Sequence, residues 1–257
     1  MTAMARRIVQ LTDCHLFADP GRALRDTATW PRFIAVLEDV RRGTPPFDLL
    51  VLSGDTAHDE HPATYRAVRR ELGAWADRAR VVPGNHDCRA GLAEAFPDAS
   101  SGVAGRVTFH ERLKDWQTIG LDTQRPGELP GSLGDEQLAW LDRLLEETPL
   151  PALLFMHHPP VDVQSPWLDE IKLQDAAELD RLLRRHPHAR LVCCGHVHQE
   201  TASSLAGATV LTTPAVGPQF RPRTAQLEID PGPPAYRLIE LHPAGEWSSQ
   251  VLRCTQG

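Results

Sequence analysis

Arg7-Ile8-Val9-Gln10-Leu11-Thr12-Asp13-Cys14-His15 is a short apolar run that ends in a carboxylate and an imidazole. Four further segments are built the same way. Asp48 to Leu52 leads into Ser53-Gly54-Asp55, and Arg80 to Val82 leads into Pro83-Gly84-Asn85-His86-Asp87. Ala152 to Met156 leads into His157-His158-Pro159-Pro160, and Ala189 to Cys194 into Gly195-His196-Val197-His198. Each run is short, rich in Val, Leu and Ile, and bounded by Gly, Pro or Asp, which reads as a strand buried on both faces.

Between the runs, Phe33, Val36, Leu37 and Val40 recur at helical spacing, as do Leu138, Leu141, Leu144 and Leu145, and Leu179, Leu182 and Leu183. These are helices that show one apolar face to a core. Alternation of strand and helix predicts βαβ units with parallel strands. Two stretches break it. Arg106 to Leu121 reads as a pair of strands, and after Glu200 the runs Ala208 to Thr212, Ala225 to Asp230 and Tyr236 to Leu241 follow one another around Pro and Gly turns. The expectation is one mixed α/β domain over residues 1–257, a parallel core (7–215) with antiparallel additions and a strand-rich tail (216–257).

The 257 residues are 41% hydrophobic and 24% charged, enough to bury a core without disulfide staples. The formal net charge of -7 argues against an affinity built on gripping nucleic-acid phosphates. It leaves phosphate substrates open, because bound metals reverse the sign of a site locally. No apolar stretch reaches the roughly 18 residues of a membrane span. The short basic stretch Met1 to Arg7 lacks the apolar region and cleavage site of a signal peptide. The five cysteines follow no framework spacing, and Cys193-Cys194 sits in an apolar run. Together these features predict a cytoplasmic protein with no membrane and no nucleic-acid partner.

In a parallel sheet the carboxyl ends of the strands share one edge, so the five polar clusters are expected to converge on one rim of one sheet. Imidazole with carboxylate suits Zn, Mn or Fe. The candidate ligands Asp13, His15, Asp55, Asn85, His157, His196 and His198 are too many for one tetrahedral ion and about right for two sharing a carboxylate. Asp-x-His and His-x-His would offer two ligands from one extended segment, where alternate residues share a side. Gly54, Gly84 and Gly195 would let the backbone turn sharply. An isolated Asp-x-His is common by chance; five clusters, each directly after a strand, are not. His58, His61, His110, His186, His188 and His242 lack that context and read as solvated or structural.

Asp13-x-His15, Gly54-Asp55, Gly84-Asn85-His86-Asp87, His157 and Gly195-His196-x-His198 resemble, in residue and order, the calcineurin-like metallophosphoesterases. His157-His158-Pro159-Pro160, Gly120-Leu121-Asp122-Thr123-Gln124 with Pro126-Gly127-Glu128, and Trp167-Leu168-Asp169 before Leu173-Gln174 look like the bacterial class III cyclic-nucleotide phosphodiesterases. The resemblance implies an α/β fold, a four-layer sandwich of two mixed β-sheets flanked by helices. It implies two divalent metals (Mn, Fe or Zn), with Asp13, His15 and His198 on the first, Asn85, His157 and His196 on the second, and Asp55 on both. His86 would be catalytic, touching the scissile phosphate with Asn85 and assisting the leaving group. Cys14 would point away from the metals.

The implied substrate is a small phosphodiester, foremost 3′,5′-cyclic AMP hydrolysed to 5′-AMP by a hydroxide shared between the metals. Glycerophosphodiesters and 2′,3′-cyclic nucleotides are the alternatives. Trp167 would stack on a base or pack its own loop. Asp87 would orient His86 or cap the helix starting at Ala90, and His158 would be an outer partner of the ligands or simply buried. The tail would shape the site or form a homodimer contact. A protein serine/threonine phosphatase would carry Asp-Arg-Gly soon after Gly-Asp, where this chain has Thr56-Ala57-His58-Asp59. A nuclease would want a basic run, and a metal-dead scaffold would be expected to lose ligands.

Overall fold

The computed structural model describes residues 5–97 and 102–254. Residues 1–4 of the basic N-terminal stretch and 255–257 of the tail lie outside them. In chain order, β1 (Arg6–Leu11) is followed by a small hairpin, β2 (Ala23–Leu24) and β3 (Thr27–Ala28), then α1 (Thr29–Gly43), β4 (Leu49–Ser53), α2 (Pro62–Leu72), β5 (Ala79–Val82) and α3 (Arg89–Ala95). Next come β6 (Phe109–Leu113), β7 (Trp116–Leu121), α4 (Gly134–Glu147), β8 (Ala152–Met156), α5 (Pro166–Asp169), α6 (Ala176–Arg185) and β9 (Ala189–Cys194). The chain ends in β10 (Thr201–Leu205), β11 (Ala208–Thr212), β12 (Gln219–Phe220), β13 (Ile229–Asp230), β14 (Ala235–Leu241) and β15 (Trp247–Arg253).

The five apolar runs are strands, divided between two sheets rather than gathered in one. The first sheet has the order β15-β14-β1-β4-β5, with β1, β4 and β5 mutually parallel. The second has the order β10-β11-β9-β8-β7-β6, parallel from β7 to β11. Hydrophobic periodicity tells how a strand is buried and not which strand it joins, so the expected single sheet does not hold. The tail also differs in part from the expectation. Ala208–Thr212 pairs parallel to β9, only Ile229–Asp230 of the run from Ala225 is strand, and β10 and β15 were not anticipated.

Alternate side chains explain why both faces of the runs are apolar. Ile8, Leu49, Val51, Leu153, Phe155, Leu191 and Cys193 meet between the sheets. Their neighbours Val9, Leu11, Leu50 and Leu52 pack under α1 and α2 against Phe33, Val36, Leu37 and Val68. Leu154, Met156, Val192 and Cys194 pack under α4 and α6 against Leu141, Leu145, Leu179 and Leu183. The result is a four-layer helix–sheet–sheet–helix sandwich. Each fully buried Leu, Ile or Val in these layers contributes about 1.5–3 kcal/mol. No helix among the described residues is long and apolar enough to cross a membrane.

Candidate metal centre

The carboxyl ends of β1, β4 and β5 meet those of β8 and β9 across the sandwich, and the loops beyond them are tied together. Asp13 N donates to Gly54 O at 3.0 Å, His15 N to Asp55 O at 2.8 Å, and Gly195 N to His157 O at 3.0 Å. His196 N donates to both Asp13 carboxylate oxygens, at 3.1 and 3.0 Å. His86 N donates to Asp55 Oδ1 at 2.9 Å.

The candidate ligands of the Asp-x-His and His-x-His pairs do not project from extended backbone. Asp13, His15, Asp55, His196 and His198 have φ of 52°, 48°, 49°, 69° and 51°. Left-handed conformations cost a non-glycine residue of order 1–3 kcal/mol each and persist where the surroundings enforce them. The glycines also differ in role from the expectation. Only Gly54 turns through positive φ, at 96°, and a Cβ there would strike the His157 ring. Gly84 and Gly195 are needed for close approach: a Cβ would fall onto the Asp55 carboxylate in one case and onto Thr12 and Asp13 in the other.

All seven candidate ligands are brought together. His15 Nε2 lies 3.2 Å from His198 Nε2 and 3.6 Å from Asp55 Oδ2, and His198 Nε2 lies 3.2 Å from Asp13 Oδ1. On the other side His157 Nε2 lies 3.4 Å from the same Asp55 Oδ2. His157 Nδ1 donates to Ser53 O at 3.0 Å and His198 Nδ1 to Pro218 O at 2.5 Å, so that each Nε2 is turned inward. Three buried atoms, Asn85 Oδ1, His157 Nε2 and His196 Nε2, have no hydrogen-bond partner. Buried polar atoms without partners are costly unless something satisfies them.

Electrostatics agree. Burial opposes ionisation of Asp55, but the imidazoles of His157 and His15 hold its carboxyl well below the usual range. Burial likewise opposes protonation of His157, yet Asp55 and Asp13 raise it to about 9. Burial, with the charge of His157, pushes His196 down to about 3, so it presents a neutral imidazole. A cation can satisfy the same carboxylates and lone pairs at once. The donors therefore fit two divalent ions: imidazole, carboxylate and one neutral amide, with no thiol.

The neighbouring residues fall out as follows. Asp87 neither caps α3 nor bonds to the His86 ring. Its carboxylate accepts from Gly84 N (2.9 Å), Ala57 N (3.0 Å), Thr56 N (3.2 Å) and the Tyr65 hydroxyl (3.2 Å), clamping the loops that carry Asp55 and Asn85. Burial and the charge of Asp55 raise it to about 7. His158 has both ring nitrogens engaged: Nε2 donates to Leu129 O at 2.9 Å, and Nδ1 accepts from the Thr123 hydroxyl at 2.7 Å. It is no free ligand, although its ring lies against His196, with centroids 4.5 Å apart. Cys14 lies in the apolar core beneath α1.

A cavity of about 440 Å³ opens over the cluster. Its floor is His15, Asp55, Asn85, His86, His196 and His198; its wall is Leu24, Leu129, Trp167, Ile171, Phe220 and Leu227, with Arg25 and His58 at the edge. A larger groove of about 1170 Å³ between α1 and α2 holds none of the cluster, so size does not locate the chemistry. Sequence reasoning missed three contributors. Phe220 stacks on His198, with centroids 3.9 Å apart and planes 5° from parallel, which brings the tail to the site. Arg25 and Asp26, at φ 49° and 62°, form the two-residue turn of the β2–β3 hairpin without the Asn-Gly signature that would have announced it. His58 lies 3.1 Å from His15 Nδ1.

A model of the family described as calcineurin-like phosphoesterase matches residues 6–200. The chain belongs to that family, whose members work with a dinuclear centre of divalent metals. Among curated proteins, the 3′,5′-cyclic adenosine monophosphate phosphodiesterase of Escherichia coli K12 is 38% identical over 248 residues, 96% of this chain and 89% of that protein. A 3′,5′-cyclic-nucleotide phosphodiesterase of Nostoc sp. PCC 7120 is 31% identical, covering 96% of this chain and 91% of its own. Among solved structures, a dimetal phosphatase from Danio rerio superposes with a TM-score of 0.66 at 17% identity, over 98% of this chain and 100% of that one, a likeness of fold.

Proposed function

We propose that the chain, acting as one catalytic domain, is a two-metal phosphodiesterase that hydrolyses 3′,5′-cyclic AMP to 5′-AMP. The observation that carries the reading is that three buried polar atoms, Asn85 Oδ1, His157 Nε2 and His196 Nε2, have no hydrogen-bond partner beside Asp55, whose carboxylate His15 also faces. Asp13, His15 and His198 would hold the first ion, Asn85, His157 and His196 the second, and Asp55 both. When bound, the two ions would supply a water of lowered pKa and offset charge on the phosphoryl oxygens. Nitrogen and oxygen donors without thiolate suit Mn, Fe or Zn.

The chain's own residues do the rest. Asn85 and His86 sit on the floor under the phosphate position. Water adds to phosphorus through its oxygen and releases a proton to solvent as the P–O3′ bond breaks, and His86 delivers a proton to the departing O3′. Asp87 keeps the Asp55 and Asn85 loops in register through its backbone bonds, and His158 packs behind His196. The apolar wall with Trp167 and Phe220 suits a flat base and gives a glycerol group little to bond with, which favours a cyclic nucleotide. The names of the full-length relatives point the same way.

The test is a panel of kcat/KM values with Mn²⁺ supplied, over 3′,5′-cyclic AMP, 3′,5′-cyclic GMP, 2′,3′-cyclic AMP and a glycerophosphodiester. Highest turnover of 3′,5′-cyclic AMP is expected. Preference for the glycerophosphodiester would reject the substrate assignment, and no Mn²⁺-dependent hydrolysis of any diester would reject the activity.

A further inference from the structure

His58 carries no metal in the ligand set above, yet it touches two of that site's groups. Its Nδ1 lies 3.1 Å from His15 Nδ1. Its ring faces His86, with centroids 4.5 Å apart and planes 30° from parallel. The fold holds it in place: His58 N donates to Leu16 O at 2.8 Å, Phe17 packs edge-on at 5.2 Å between centroids, and neighbouring Asp59 accepts from Ala18 N at 2.7 Å. The loop after β4 is thereby laid along the loop after β1.

Tautomers set the direction of the His15–His58 bond. His15 Nε2 faces His198 Nε2 and Asp55 Oδ2, so its lone pair turns toward the first metal position. The proton of His15 then sits on Nδ1 and is donated to His58 Nδ1, which leaves the His58 proton on Nε2. An outer acceptor of this kind fixes the orientation of a ligating imidazole and raises its basicity. His157 and His198 use the backbone oxygens of Ser53 and Pro218 for the purpose; His15 uses a side chain, which a point substitution can remove.

We propose that His58 is a positioning residue with two faces: Nδ1 accepts from His15 and orients that ligand of the first metal, while the ring supports His86. The inference rests on the ligand set proposed above. Two variants separate the faces. His58→Phe keeps a ring against His86 and removes the acceptor; His58→Asn keeps an acceptor near the Nδ1 position and removes the ring. His58→Leu replaces the Phe variant if circular dichroism shows that it does not fold.

The full chain, stripped of metal, is titrated with Mn²⁺ by calorimetry. Two equivalents are expected for the unaltered chain; fewer would reject the two-metal reading itself. Given two, His58→Phe is expected to weaken one equivalent by about 10–100-fold and leave the other unchanged, with His58→Asn restoring it. In kinetics, His58→Asn should lower kcat/KM for 3′,5′-cyclic AMP more than for bis(p-nitrophenyl) phosphate, whose leaving group needs no acid. Unchanged binding of both equivalents by His58→Phe, or no recovery in His58→Asn, overturns the role toward His15. Equal kinetic losses on both substrates overturn the role toward His86.

Discussion

Asp55 divides its two oxygens between tasks. Oδ1 accepts from His86 N at 2.9 Å and anchors the loop after β5. Oδ2 stays between His15 Nε2 at 3.6 Å and His157 Nε2 at 3.4 Å, one imidazole from each sheet. A neutral amide at Asn85 would complete the second proposed set without adding charge. Asn85→Ala should leave the fold intact, reduce bound metal from two ions toward one, and lower kcat/KM by about 100-fold, near 3 kcal/mol of lost transition-state stabilisation. Elemental analysis beside a thermal melt checks this, and full activity would reject Asn85 as a ligand. The role proposed for His86 is tested through the leaving group. His86→Ala should cost about 100-fold or more on 3′,5′-cyclic AMP and far less on an activated aryl diester. Equal losses on both would remove the proton donor from the mechanism.

The elements set where these groups can stand. Strands buried on both faces cannot shift register without exposing apolar rows, so their ends are stiff platforms. The loops beyond them take left-handed backbone at five candidate ligands, and their mutual hydrogen bonds hold them there. The branch segments recognised in the sequence acquire physical reasons at this scale. Thr123 donates to the His158 Nδ1 that the Leu129 carbonyl leaves unprotonated, Gln124 Nε2 donates to the Asp87 carbonyl, and Asp122 binds Arg89 in a fork at 2.7 and 2.9 Å. Asp175, just before α6, accepts from Leu133 N at 2.9 Å and Gly134 N at 2.8 Å at the start of α4. It satisfies the N–H groups of Leu133 and Gly134 from a distance. Asp175→Ala should cost about 1–2 kcal/mol, seen as a lower urea midpoint, with turnover per folded molecule unchanged. A shift below about 0.5 kcal/mol would mean that water replaces the cap freely.

At the scale of the whole molecule, the site exists because two sheets face each other with the same ends together. A buried polar chain crosses that interface. Gln10 Nε2 donates to Ser53 Oγ at 2.8 Å, Thr213 Oγ1 donates to Gln10 Oε1 at 2.8 Å, and Arg237 Nε donates to Thr213 Oγ1 at 2.9 Å. Arg237 also reaches Thr212 O and Ser249 Oγ. Gln10→Leu removes the acceptor of the buried Thr213 hydroxyl and the donor to the buried Ser53 hydroxyl, and should destabilise the chain by about 1–3 kcal/mol. The urea midpoint should fall with an unchanged slope, because the surface exposed on unfolding stays the same. An unaltered midpoint would show that the hydroxyls find other partners.

The order of residues by itself determined the donors and their carriers: five doubly buried strands, each ending in Asp, Asn or His. That much is legible because a strand buried on both faces is one continuous apolar run, and a polar cluster at its end interrupts it at a defined place. Only the tertiary structure decided that the runs belong to two sheets. It alone decided that Asp13 and His15 converge through left-handed turns rather than strand alternation. It alone turned Asp87 to backbone N–H groups and brought His58 and Phe220 to the candidate ligands. Periodicity records how much of a side chain is buried; it holds no record of which distant segment does the burying. A lone aromatic in the tail or a histidine three residues past Asp55 acquires its neighbours only when the chain closes.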